Sequence, residues 1–257
     1  LSKGKRLQPQ DVGLLASMGI TEVTVYKKLT VAVVSTGDEL VEPGLPLAPG
    51  QIYNSNRYTL SALLLSLGCE LIDGGIIADD FSATCQQLQS LAEDADLIIS
   101  SGGVSVGEED YVKAAVESLG QLSLWKLNIK PGKPVAFGAV SGTPFFGLPG
   151  NPSSVFVTFC LLVRPFLLRY QGRLELEPTM MVAVANFDLM RAGSRQEYLR
   201  AKVINTECGA QVELYPNQSS GVLTSASWAN ALVVLPPGST VTKGDQVKVL
   251  MLSELLH

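Results

Sequence analysis

The sequence predicts an α/β domain, built on a mostly parallel sheet with helices on both faces, followed by a small all-β domain. Two observations support this prediction. Between residues 27 and 175, short apolar runs alternate with helical patterns, as they do in consecutive βαβ units. Between residues 176 and 257, short strand patterns are separated by turn residues. The two parts of the chain therefore belong to different fold classes.

Residues 1–26 are expected to be the remnant of a preceding N-terminal domain. Residues 7–19 have the apolar spacing of a short helix, and Thr21–Tyr26 alternates like a strand. Neither element is large enough to bury a core of its own. The chain also begins without Met, so we expect it to be a piece of a longer protein.

The predicted α/β domain extends from residue 27 to residue 175. Its strands are expected at Val31–Ser35, Glu70–Ile77, Leu97–Ser100, Leu122–Ile129, Pro134–Phe137 and Pro144–Gly147. Its helices are expected at Ser55–Leu67, Ser82–Ala92, Tyr111–Leu119 and Pro152–Gln171. The last helix has the clearest signals, because Asn151 suits the N-cap, Pro152 the first helical position and Gly172 the end.

Residues 176–257 are predicted to form a barrel-like all-β domain. Strand patterns lie at Met180–Asp188, Gln196–Ile204, Gln211–Tyr215, Ala231–Leu235 and Gln246–Leu250. Turn sequences such as Pro236-Pro237-Gly238 separate them, and we expect no helix between them.

Composition excludes several classes of function. The chain has 257 residues, of which 46% are hydrophobic and 17% charged, and its net charge of −5 disfavours nucleic acid as a main partner. It has no apolar run of membrane-spanning length and no secretory signal in its first ten residues. The four cysteines lack metal-ligand spacing and are expected to be reduced in a cytoplasmic protein. Because His257 is the only histidine, the chain holds no hydrolase triad and no histidine-based zinc site.

Four loops, each rich in glycine or polar residues, follow predicted strands. They are Ser35–Leu40, Ile76–Asp80, Ser100–Tyr111 and Phe145–Ser154. Because loops after parallel strands meet at the carboxyl edge of the sheet, where ligands bind, we expect them to share one site. Glycines in the last two loops would bring backbone N–H groups toward an anion at helix N-termini. Ordinary turns and helix caps are the alternative.

Charged residues surround the same edge. The carboxylates expected there are Asp38, Glu39, Asp79, Asp80, Glu108, Glu109 and Asp110. Carboxylates so close together raise one another's pKa unless a hard cation such as Mg²⁺, shared with ligand phosphates, holds them. Helix capping or exposure to water is the alternative, and Asp79-Asp80 before a helix is a plausible case.

Basic residues are candidates for binding an anion. The even spacing of Lys126 and Lys130 places both side chains on one face of a strand, and prolines flank Lys133 in the same segment. A solvated lysine face is the alternative. In the second domain, Arg191, Arg195 and Arg200 recur near a turn, where exposure at the surface is the default expectation.

Six ordered motifs resemble those of the molybdopterin molybdenumtransferase family, or MoeA, whose eukaryotic relative is the gephyrin E domain. They lie at residues 35–40, 51–56, 75–80, 100–107, 130–134 and 148–152, so the resemblance spans nearly the whole chain. It implies a MogA-like molybdopterin-binding fold. It also implies an enzyme that uses Mg²⁺, inserts molybdenum from molybdate into adenylylated molybdopterin and releases AMP.

The resemblance further implies roles for individual residues. Glu39, Asp79 and Asp110 fall on acidic positions that are catalytic and bind the metal, and Lys126 and Lys130 on anion-binding catalytic lysines. The implied ligand-binding residues are Thr36, Gly37, Asp38, Ser101, Gly102, Gly103, Ser105, Lys133, Pro149, Gly150, Asn151, Arg200 and Ser220.

The same resemblance implies a homodimer, with a cleft built between subunits, and a transient contact with the molybdopterin adenylyltransferase. Since the preceding domain is expected to be missing, we expect this chain to bind ligand but to turn over slowly. Two alternatives stay open. An adenylyltransferase shares the α/β fold but does not need the all-β domain, and a gephyrin-like scaffold binds a receptor peptide instead of catalysing a reaction. The acidic and basic residues named above favour the enzyme.

Overall fold

The computed structural model describes residues 1–103, 111–207 and 209–256, and two six-stranded sheets organise this part of the chain. The elements of the first part are α1 (Pro9–Ser17), β1 (Thr30–Thr36), β2 (Leu40–Val41), β3 (Ile52–Tyr53), α2 (Ser55–Ser66), β4 (Glu70–Ile77), α3 (Phe81–Asp94), β5 (Leu97–Ser101), α4 (Tyr111–Leu119), β6 (Gly120–Lys126), β7 (Ile129–Lys130), β8 (Pro134–Val140), β9 (Thr143–Leu148) and α5 (Pro152–Tyr170). Those of the second part are β10 (Met180–Ala185), β11 (Gln196–Thr206), β12 (Gly209–Leu214), α6 (Leu223–Trp228), β13 (Ala231–Leu235), β14 (Gln246–Met251) and α7 (Leu252–Leu255).

The first sheet has the strand order β4-β1-β5-β9-β8-β6. Strands β4, β1, β5 and β9 are parallel, and β8 runs antiparallel to both of its neighbours. Strand β6 therefore points in the same direction as the parallel strands, and its carboxyl end lies at their edge. The prediction of a mostly parallel sheet is confirmed.

Helices cover both faces of this sheet, as predicted. One core joins α2 and α5 to one face, through residues such as Leu64, Phe159 and Val33. The other joins α3 and α4 to the opposite face, through Leu88, Val116 and Val34. Burial on both faces explains why the central strands are continuous apolar runs and do not alternate.

Helix α5 contains a π-helical turn at Phe159–Val163, just before Pro165. Proline has no N–H to bond the carbonyl four residues earlier, and a wider turn accommodates that loss. By length and composition α5 could cross a membrane, but 67% of its most apolar window is buried inside the protein. Such burial is typical of a core helix.

The second sheet has the order β12-β10-β14-β13-β11-β7, and β12 also pairs with β11, so the sheet closes on itself like a barrel. A third core fills it, with Leu199, Val233 and Val249 at its centre. The predicted all-β domain is confirmed in this form. The expectation that no helix lies between its strands was wrong, because α6 separates β12 from β13, and α7 follows the last strand.

Two other predicted strands differ from the structure. The strand expected at Leu122–Ile129 ends at Lys126, and the short β7 that follows joins the second sheet by pairing with β11. The strand expected at Thr21–Tyr26 is not formed, and Val23, Val25 and Tyr26 are exposed. Alternation alone cannot stabilise a strand that has no partner.

Candidate functional site

A cleft of about 1210 Å³ lies at the carboxyl edge of the first sheet and reaches the second domain. Most of the predicted site residues line it: Thr36, Gly37, Glu39, Asp79, Ser101, Gly102, Gly103, Lys130, Lys133, Pro149, Gly150, Asn151 and Ser220. The cleft therefore brings together parts of all four loops that follow the predicted strands. Asp38, Lys126 and Arg200 do not line it. Ser105 and Asp110 lie outside the described residues, as do Glu108, Glu109, Cys208 and His257.

The floor of the cleft is the turn after β5. Gly102 and Gly103 have φ angles of 89° and 65°, in the region that disfavours a Cβ atom. A Cβ on Gly102 would lie 2.9 Å from the Thr36 carbonyl oxygen, and one on Gly103 would lie 2.5 Å from Val112 Cγ2. Both the backbone conformation and the close packing therefore require glycine here.

Buried hydroxyls support this floor from below. Ser35 Oγ donates a hydrogen bond to Asn54 Oδ1 at 3.2 Å and lies 3.1 Å from Ser101 Oγ. Asn54 is the N-cap of α2, and its Oδ1 also accepts from the Arg57 N–H. One polar cluster thus fixes the ends of β1 and β5 to the start of α2.

The acidic side of the cleft is formed after β1 and β4. Burial, together with the nearby charges of Asp38 and Glu39, raises the pKa of Asp79 above its usual value. Gly37 permits this arrangement, because a Cβ there would lie 2.6 Å from Glu39 Oε2. Asp80 has a different role, since its Oδ1 caps α3 by accepting the Ala83 N–H at 2.7 Å.

These carboxylates fit a shared Mg²⁺ only in part. Within residues 1–103, 111–207 and 209–256, no three Asp, Glu, His or Cys side chains are close enough to hold a metal ion by themselves. Mg²⁺ commonly binds one or two carboxylates and completes its coordination with water and ligand phosphates. Asp79 and Glu39, whose negative charges repel each other, are a donor set of that kind.

The basic side of the cleft comes from the segment before β8. Lys130 and Lys133 line it, and Lys130 Nζ lies 3.3 Å from Glu197 Oε2. The Leu127 N–H donates to the Lys133 carbonyl at 2.8 Å and closes the loop between them. The single strand predicted to carry Lys126 and Lys130 is interrupted there, so Lys126 ends β6 as an exposed side chain outside the cleft.

A third cation, Arg195, was expected at the surface, but the structure places it in the cleft lining. Strand β7 pairs with β11, which brings Arg195 next to the segment that contains Lys130. Arg195 Nη1 donates to the Ile129 carbonyl oxygen at 2.9 Å, and this contact holds it there. Its position depends on pairing between two distant segments, a signal that the sequence does not contain.

The loop before α5 forms the wall between the two domains. Asn56 Nδ2 donates to the Gly150 carbonyl at 2.7 Å and joins the start of α2 to this loop. The N–H groups of Ser154 and Val155 donate to the Asn151 carbonyl, and that of Ser153 donates to the Ser220 carbonyl. These N–H groups are therefore already bonded, and an anion in the cleft depends more on the cationic side chains.

The second domain closes the cleft with the segment Gln218–Gly221. Arg200 lies directly behind it and is only 1% exposed. Its Nη2 donates to the Ser219 carbonyl at 3.1 Å, and its Nε donates to Ser225 Oγ at 3.0 Å. In this structure Arg200 contacts the cleft wall and not the open cleft.

Comparisons with known proteins agree with this arrangement. A family model described as a probable molybdopterin binding domain matches residues 32–169, and one described as the MoeA C-terminal region (domain IV) matches residues 182–252. The molybdopterin molybdenumtransferase of Haemophilus influenzae is 42% identical over an alignment that covers 100% of this chain and 64% of the relative. The enzyme of the same name from a Nostoc species is 36% identical, with coverage of 98% and 59%.

Solved structures give the same result. Two crystal structures of a molybdopterin biosynthesis MoeA protein from Pyrococcus horikoshii superpose with TM-scores of 0.80 and 0.78, at 34% and 28% identity. Each alignment covers 98% of this chain, and 61% and 60% of those chains. The chain thus spans about three fifths of the length of its relatives.

Proposed function

Because the chain belongs to the family of the probable molybdopterin binding domain and continues into a MoeA C-terminal region, we propose that it inserts molybdenum from molybdate into adenylylated molybdopterin and releases AMP. The observation that supports this most directly is the polarity of the cleft. Carboxylates line one side and three cations the other. A pyrophosphate could bind such a site directly through the cations, and through a Mg²⁺ ion held by the carboxylates.

The basic side suits the anionic parts of these substrates. Lys130, Lys133 and Arg195 would pair with phosphate oxygens and with molybdate, which is a tetrahedral oxyanion. Release of AMP breaks one P–O bond of the pyrophosphate linkage while an oxygen of water or molybdate bonds to the phosphorus, and negative charge grows on the phosphate that leaves. Fixed cations stabilise that growing charge, and this lowers the barrier to displacement.

The acidic side would hold Mg²⁺ through Asp79 and Glu39. The family resemblance implies Asp110 as a third residue, which lies outside the described part of the chain. When bound, the ion would offset the charge of the substrate phosphates. Burial and the nearby charges of Asp38 and Glu39 raise the pKa of Asp79, and a bound cation would offset the repulsion between these carboxylates. On the floor, the positive φ angles of Gly102 and Gly103 shape the turn against which a flat ligand would lie. Sulfur ligands for molybdenum would come from the substrate dithiolene, so the cysteines need no special arrangement.

Assembly and location are part of the same proposal. We expect a cytoplasmic homodimer that contacts the molybdopterin adenylyltransferase transiently to receive its substrate. Since the chain spans about three fifths of its relatives, we expect slower turnover than in a full-length relative. Equal rates in the two proteins would contradict this expectation.

The test measures binding of molybdopterin-AMP with and without Mg²⁺, followed by AMP release with and without molybdate. We expect Mg²⁺ to tighten binding and molybdate to be required for AMP release. Lys133→Met should weaken binding, whereas Lys248→Met, an exposed lysine outside the cleft, should not. Absence of binding in both conditions would refute the proposal and favour a scaffold. Formation of molybdopterin-AMP from ATP would instead identify an adenylyltransferase.

A further inference from the structure

Within the described part of the chain, Arg200 is a buried cation without an acidic partner. Its side chain is 1% exposed, and no carboxylate in the described part of the chain lies within ion-pair distance of it. Burial lowers its pKa to about 10, so the guanidinium still carries its charge at neutral pH. A buried, unneutralised charge is unfavourable for stability, and its presence calls for a physical reason.

Four hydrogen bonds join Arg200 to the segment Tyr215–Ser219, one from its guanidinium and three through its main chain. Its Nη2 donates to the Ser219 carbonyl at 3.1 Å, and its N–H donates to Gln218 Oε1 at 3.0 Å. Its own carbonyl accepts from the Tyr215 N–H at 3.0 Å and from Gln218 Nε2 at 2.8 Å. One residue of β11 thus fixes both ends of the segment that leads into the cleft.

A second set of contacts joins the same segment to α5 of the first domain. Ser225 Oγ accepts from Arg200 Nε at 3.0 Å and donates to the Val222 carbonyl at 2.6 Å. Ser153, in the first turn of α5, donates its Oγ to the same Val222 carbonyl at 2.9 Å and its N–H to the Ser220 carbonyl at 2.9 Å. Arg200, Ser225 and Ser153 are all buried, so water does not compete for these bonds.

We propose that Arg200 is a positioning residue, which acts through Gln218–Gly221 and Ser225 to hold the second domain's cleft wall against the start of α5. Its charge, which has no acidic partner among the described residues, adds positive potential immediately behind that wall. This role differs from the direct ligand contact expected from the sequence. The electrostatic part rests on the proposed function, because it assumes an anionic substrate in the cleft.

Two variants separate positioning from direct contact. Ser225→Ala removes the acceptor of Arg200 Nε without changing charge, and Ser225 does not line the cleft. Arg200→Lys keeps the charge but cannot reach two acceptors at once. Arg191→Lys is the control, because it makes the same chemical change at an exposed arginine.

Amide hydrogen exchange of the ligand-free chain measures how firmly the wall segment is held. The reporters are the N–H group of Ser153, which bonds the Ser220 carbonyl across this joint, and that of Tyr215, which bonds the Arg200 carbonyl at the other end of the wall segment. We expect exchange to become about tenfold faster in both test variants, the factor that one hydrogen bond to a charged group supplies. The affinity for molybdate, measured by titration calorimetry, should fall by a similar factor. The control should change neither quantity.

The charge has its own readout. Arg200→Lys should keep the salt dependence of molybdate binding seen in the parent, whereas Arg200→Met should reduce it. A purely structural role predicts no such difference. If Arg200→Met does not fold, Ser225→Ala still decides the positioning role.

Three results would overturn the proposal. If exchange is unchanged in both test variants and molybdate binding is weaker only in Arg200→Lys, Arg200 contacts the ligand directly. Faster exchange with unchanged affinity would mean that the network serves stability alone, and no change in either quantity would remove the role entirely. If the parent chain does not bind molybdate, that failure counts against the proposed function, while the exchange rates still test whether Arg200 holds the wall.

Discussion

Replacing Gly103 by alanine tests whether the cleft floor requires glycine. At a φ of 65°, an L-residue costs about 1–2 kcal/mol in backbone strain. The new Cβ would also lie 2.5 Å from Val112 Cγ2 and 2.9 Å from Thr36 Oγ1. Val112 is 2% exposed and cannot move aside into solvent, so overpacking adds about 1–3 kcal/mol. We expect a total destabilisation of about 2–5 kcal/mol, the sum of these two costs.

Gly75→Ala is the matched control. Gly75 has a φ of 66°, almost the same as that of Gly103, but no atom lies within 4 Å of its added Cβ. Its substitution should therefore cost only the strain of about 1–2 kcal/mol, partly offset by the lower entropy of the unfolded chain. Urea unfolding followed by far-ultraviolet circular dichroism measures both free energies. Equal losses in the two variants would refute the claim that packing against Val112 and Thr36 excludes a side chain.

Three other substitutions test the walls of the cleft and the joint between the domains. Asp79→Asn should raise the urea midpoint at neutral pH, because the raised pKa of Asp79 means that its ionised form opposes folding. This gain in stability should vanish as the pH falls through the usual carboxyl range of about 4, and a gain that does not change with pH would contradict the reasoning. Lys133→Met should reduce molybdate affinity in calorimetry more than Lys126→Met does, because only Lys133 lines the cleft, and the reverse order would place the anion elsewhere. Arg164→Met should destabilise the chain by about 1–3 kcal/mol in urea, because it removes bonds to two backbone carbonyls, whereas Arg169→Met on the exposed side of the same helix should not.

Local sequence patterns were sufficient for most of the α/β domain. Strand β4 and helix α4 have the predicted bounds. Elements that depend on a distant partner were not predictable in this way. Strand β7 has only two residues and exists because β11 pairs with it. Helix α6 spans six residues, too few for a helical period to emerge from the sequence.

The residues of the candidate site also fall into two groups, those that local patterns predict and those that depend on a distant partner. Residues such as Gly102 and Asp79 were predictable because strand topology alone brings their loops to one edge. Lys133 was predicted from its flanking prolines and the family resemblance. Arg195 was missed because its place in the cleft follows from the pairing of β7 with β11. The expected pairing of Lys126 with Lys130 failed for a related reason, since the even spacing assumed one continuous strand.

The electrostatics of the cleft therefore depend on how the two domains meet. The acidic side belongs to loops of the first sheet, whose positions are fixed by cores on both of its faces. The position of the basic side depends on β7, which follows a strand of the first sheet along the chain but pairs with β11 in the second sheet. The distance between the two sides is then set by contacts between the domains, including Ser153 with the loop before α6 and Arg164 with the C-terminal helix. A substitution at this joint should change anion affinity without altering any side chain that lines the cleft.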